Sequence, residues 1–167
     1  MKMHPVHYFE VFVEGNFYDF SENNYCLRRA FNSCVSASHM ADIYFKYCKR
    51  NQNKIVSEFN ELKDFINFIN KKTQNKFKDI RSISNAYKHL YLDDDCHSSI
   101  ASGGVLTSVE SFEKDEDIQG INNDYYGSVK SEWVVKFTRK DGSIGSLNPI
   151  LESVNKFWSD LIYNLLE

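Results

Sequence analysis

The sequence has 167 residues, 42% of them apolar and 15% aromatic, with seven Gly and two Pro. A chain of that size can bury an adequate core as one domain without metal or disulfide staples. It is too hydrophobic for disorder and too poor in breakers for a many-stranded sandwich, so a mainly helical fold is expected.

The net charge of −3 hides an asymmetry: residues 46–89 carry eleven Lys or Arg against four acids, and residues 92–126 carry one Lys against nine acids. Solvated helix surface beside an acidic loop fits this pattern. So does a basic surface that meets phosphate and is partly masked by the acidic segment. No apolar run approaches the roughly 20 residues that cross a bilayer, and MKMHPVHYFEVFVEG puts aromatics and an acid where a signal peptide would be smoothly apolar. A cytoplasmic protein with no membrane partner is expected. Cys26, Cys34, Cys48 and Cys96 form no CxxC pair. Reduced, mostly buried thiols are expected rather than a metal or redox centre.

In chain order, Pro5 suits a first turn, and Tyr8, Phe9, Phe12 and Val13 recur at helical spacing before Gly15. The spacing predicts a helix over 5–14, although the alternation in HYFEVFV also fits a strand. From Glu22 to Arg50, Leu27, Ala30, Phe31, Cys34, Ala37, Ala41, Phe45 and Cys48 hold a helical period, and the small residues among them allow a neighbour to approach closely. This long helix is expected at the centre of a bundle, with His39 and Asp42 toward its flank.

A third helix is predicted through Ile55, Phe59, Leu62, Phe65, Ile66 and Ile69, ending near Lys71-Lys72. Thr73 is placed as the cap of a fourth, whose buried stripe reads Phe77, Ile80, Ile83, Ser84, Tyr87, Leu90 and Tyr91. Beyond Asp93-Asp94-Asp95, GVLTSVESF and SEWVVKFT are rich in strand formers, and KDGS marks a hairpin turn. DYYGSVK could add a strand. A closing helix is predicted from Pro149 through Leu165. The expected organisation is one domain over 1–167: an up-and-down four- or five-helix bundle over 5–92, a small antiparallel β insertion over about 100–147, and the closing helix over about 149–166.

Arg81, Asn85 and His89 stand at i, i+4 and i+8 in DIRSISNAYKHL, on a stripe turned away from Ile80, Ile83 and Tyr87, with Lys88 beside them. A guanidinium holds phosphate oxygens through paired donors, and an imidazole titrates near neutrality. The stripe is therefore a candidate site for gripping phosphate and moving a proton, although spacing alone favours a polar helix face making surface hydrogen bonds. His39 and Asp42, one turn apart, could ligate a divalent metal if they met His89 across the bundle. Without an HExxH or paired ExxH pattern, a packing or orienting role for His39 is the reading adopted, and no metal or cofactor is expected. Ser102-Gly103-Gly104 lacks the pattern of a phosphate loop, and the adjacency of His97, Ser98 and Ser99 carries no weight. Tyr125, Tyr126 and Trp133 could stack bases on an exposed sheet face, with Trp133 expected instead to cover the bundle.

The helical plan, with a polar Arg and His on a late helix, resembles the HEPN superfamily, many of whose members are ribonucleases in toxin–antitoxin, abortive-infection and antiviral systems. That family's motif is an Arg, usually followed by a polar residue, then a His after four to six intervening residues. Placed on SNAYKH, it puts His89 at the histidine, Asn85 at the polar position and Ser84 where the motif has Arg. Seven residues stand between the nearest arginine, Arg81, and His89. AFNSCVSASHMADIYF followed by ISNAYKHL is more specifically similar to small bacterial and phage proteins with a HEPN-like bundle. The resemblance spans roughly residues 20–92, and more loosely the last hairpin and helix. It implies metal-independent RNA cleavage where the Arg and His of two protomers meet at a homodimer interface, and an antitoxin-like protein partner; Arg81, Asn85 and His89 are then the candidate catalytic residues, with Lys88, His39 and Asp42, read from their positions, in binding roles. A non-catalytic interaction or dimerisation module is the alternative.

Overall fold

The computed structural model describes residues 3–52, 54–88, 106–113 and 130–163. Helices α1 (Pro5–Tyr8) and α2 (Gly15–Ser21) are joined without a break by a π-helical segment, Phe9–Glu14. His4 caps the start: its Nδ1 accepts from the Val6 N–H at 3.3 Å, so its Nε2 carries the proton that reaches the Tyr47 hydroxyl at 2.8 Å. The helix does not end at Gly15, which keeps helical angles of φ −59° and ψ −48°. Stopping there would strand Phe20, which is fully buried.

The long helix α3 (Leu27–Arg50) starts at the first residue of its apolar period, five residues after the expected boundary at Glu22. Asn23 and Asn24 favour a turn, and Cys26 adopts an extended conformation at φ −78° and ψ 108° before the first helical residue. Ala30, Cys34, Ala37 and Ala41 are fully buried, which makes α3 the element around which the others gather. The expected third helix is two: α4 (Lys54–Ser57) and α5 (Leu62–Lys72). The break comes from Glu61, which is extended at φ −125°, ψ 160° and forms a reciprocal capping box with Asp64.

Thr73 joins α5 to α6 (Lys76–Lys88). Its hydroxyl donates to the Ile69 carbonyl at 2.8 Å and accepts from the Phe77 N–H at 3.2 Å, so one buried side chain closes one helix and opens the next. Three antiparallel strands follow, β1 (Thr107–Glu113), β2 (Lys130–Thr138) and β3 (Ile144–Ser146), in the order β1-β2-β3. Val109 faces Val134 and Lys136 faces Ser146. The predicted hairpin turn is present, with Gly142 at φ +84° and the Asp141 carboxylate accepting from both the N–H and hydroxyl of Ser143. Helix α7 (Leu147–Tyr163) holds Trp158, fully buried, with ring centroids 5.9 Å from Phe77, 6.1 Å from Tyr44 and 6.4 Å from Phe65. Burial of each such side chain stabilises by ~2–3 kcal/mol.

The protein is thus mainly helical, with a small three-stranded sheet among the described residues. No described helix is long and apolar enough to cross a membrane. Trp133 does not cover the bundle: it is 48% exposed. Val135 and Phe137 share its side of β2 by alternation and are buried, while Ser131, Glu132 and Trp133 are all exposed, so β2 overhangs the helices at that end. Tyr125, Tyr126 and the DYYGSV stretch lie outside the described residues.

Candidate functional site

The seam between α3 and α6 brings together two of the residues singled out from the sequence. Arg81 Nη1 lies 3.4 Å from Asp42 Oδ2, with the two side chains 28% and 31% exposed. Arg81 is placed by its neighbours: Ile80 and Ser82 turn into the core, which leaves the guanidinium at the rim of the seam rather than on the outer helix face. Half in water, such a pair is a weak clasp, worth ~0.2–1 kcal/mol. A phosphate at this position would compete with the aspartate for the donors of the arginine.

Asn85, one turn after Arg81, and His39, one turn before Asp42, are both half-buried. The seam therefore carries a cation, a carboxylate, an amide and an imidazole on two neighbouring helices. Lys88 lies at the last residue of α6. His89, the proposed acid or base, lies outside the described residues, as do Cys96, His97 and most of the acidic segment. Around the seam the basic half of the chain is solvent-facing, with Lys46, Lys49 and Arg50 exposed on α3 and Lys78 exposed on α6. Among the described residues no three His, Cys, Asp or Glu side chains converge as metal ligands.

The structure is decisive about Ser84. It is fully buried, with its hydroxyl unpartnered among the described residues. The position where the family motif has its arginine therefore points into the core, and Arg81 is the arginine of α6 that reaches the surface.

Two features were missed in the sequence. Asp79, only 7% exposed, is held by Arg139 from the end of β2 through contacts of 2.7, 3.0 and 3.2 Å. That carboxylate raises the already high pKa of the guanidinium. Sixty residues separate the partners, and no local pattern joins them. The other is a cleft between the first helical stretch and α7, described below. Cys34 and Cys48 are buried, their thiols pushed upward by burial, that of Cys48 to about 11. This matches the expected inert thiols. Cys26 is only partly buried at the start of α3, where backbone N–H groups lower its pKa.

Compared with family profiles, curated proteins and solved structures, the chain matches none.

Proposed function

We propose that the chain is a HEPN-like domain that binds RNA, or another phosphate-bearing partner, at the α3–α6 seam. The observation that supports this best is the partly exposed Arg81–Asp42 pair: a guanidinium fixed at the edge of a packed seam, beside Asn85 and His39, on the basic half of the chain. A phosphate arriving there exchanges one anionic partner of Arg81 for another, with the loosely held Asp42 displaced.

In the catalytic form of this reading the protein is a metal-independent ribonuclease of a toxin or defence system, working as a homodimer. His89 accepts the proton of a ribose 2′-hydroxyl, whose oxygen attacks the adjacent phosphorus. The bond to the 5′ oxygen breaks, and that oxygen leaves after taking up a proton. Arg81 balances the charge on the phosphorane oxygens and Asn85 orients its neighbours. A cleavage assay with His89→Ala tests this form: loss of cutting by a folded variant supports it, and equal cutting by variant and wild type contradicts it.

The alternative, a non-catalytic interaction or dimerisation module, draws support from the same pair, because Arg81 already has a carboxylate partner. The two readings differ in salt dependence. Phosphate binding weakens steeply as salt rises, whereas an apolar protein interface holds. Titration of labelled single-stranded RNA at two salt concentrations separates them.

A further inference from the structure

A cleft of about 440 Å³ opens between the first helical stretch and α7, lined on one side by Phe9, Glu14, Phe17 and Tyr18 and on the other by Glu152, Asn155 and Lys156. The wall from the first stretch includes the end of the π-helical segment, a local widening of the helix that often accompanies binding sites. Asn155 is 7% exposed, and neither its Oδ1 nor its Nδ2 has a hydrogen-bond partner among the described residues. An amide buried in this way costs about 1–3 kcal/mol for each unpaired group, a cost that leucine, with the same branched skeleton, would not carry.

We propose that this cleft binds a nucleobase, with Asn155 reading its edge. An asparagine amide offers one donor and one acceptor side by side, which complements a base carrying an exocyclic amine next to a ring nitrogen. Oδ1 accepts from the amine and Nδ2 donates to the ring nitrogen. Phe17 and Tyr18 supply flat rings for stacking. At the rim, Glu14 and Glu152 can accept from ribose hydroxyls, and Lys156 stands where a 5′-phosphate would be met. The volume lies within the range of small-molecule sites. Both amide atoms are closed off from water in this state, so the wall of the cleft must part for the base to reach them.

The inference does not depend on phosphate binding at the α3–α6 seam, and the test keeps the two apart. The full chain is titrated by calorimetry with adenosine, guanosine, cytidine and uridine, which carry no phosphate, alongside Asn155→Leu and Arg81→Ala. At least one nucleoside bearing an exocyclic amine is expected to bind wild type. Asn155→Leu should weaken it by about tenfold or more, the discrimination of a bidentate base contact, while Arg81→Ala binds normally. The unliganded Asn155→Leu protein should melt at or above the wild-type temperature. The proposal is overturned if no nucleoside binds wild type at millimolar concentration, if Asn155→Leu binds as well as wild type, or if Asn155→Leu melts lower, which would give the amide a structural role.

Discussion

Asp79 and Arg139 tie the sheet to the bundle: a carboxylate on α6 with little exposure is gripped by a guanidinium at the β2–β3 turn, whose Cζ lies over the ring of Phe137, 4.9 Å from its centroid. Removing the arginine leaves a nearly buried charge without a partner. Arg139→Leu is expected to cost about 2 kcal/mol, less than the ~3–5 kcal/mol of a fully buried pair because Arg139 remains partly solvated. Chemical denaturation of Arg139→Leu, Asp79→Asn and the double variant should show a double variant closer to wild type than the sum of the singles. Additive losses would mean that the two residues act independently.

Ser84 carries the second prediction. Its hydroxyl is buried and unpartnered, so Ser84→Ala should leave stability unchanged or raise it by about 1 kcal/mol. Ser84→Arg, which would restore the family motif by sequence, should instead destabilise the fold by more than about 4 kcal/mol, since a charge would enter the core. Thermal melts of the two variants check this. A stable Ser84→Arg protein would contradict the orientation of α6.

Much of this was legible in the sequence, for identifiable reasons. The 3.6-residue period of α3 and the KDGS turn are local signals, and both elements appear where those signals place them. Boundaries were less legible. Gly15 and the Glu61–Asp64 capping box are each consistent with more than one local structure, and the burial of Phe20 or the extended conformation of Glu61 decides between them only in the folded chain. The site divides in the same way. That Arg81 and Asn85 share a helix face follows from spacing, whereas the meeting of Arg81 with Asp42, and the burial of Ser84, depend on how α6 is rotated against α3. Trp133 failed for a tertiary reason: its strand pattern is correct, but the strand runs past the helices it was expected to cover.

Glu14 yields a pH prediction. Burial first, and then the charge of Glu10, raise its pKa above the ordinary 4.5. A carboxyl with a raised folded-state pKa favours the fold when protonated, so its contribution is complete below the unfolded value and is lost as pH rises through the folded value. Glu14→Gln should therefore be more stable than wild type at neutral pH, with the difference shrinking as pH falls toward the ordinary glutamate range. Melting curves across that range test it. A difference that grows on acidification would reverse the sign and contradict the account.

The most direct measurement of the central claim is the affinity of a labelled single-stranded RNA for wild type, Arg81→Ala and Asp42→Asn at two salt concentrations. With Arg81 as a phosphate contact and Asp42 as its displaceable partner, Arg81→Ala should weaken binding about tenfold and reduce the salt slope by about one, while Asp42→Asn should tighten it severalfold. Wild-type protein that binds no RNA, or binds it with an affinity indifferent to both substitutions and to salt, would contradict the α3–α6 seam as a phosphate site.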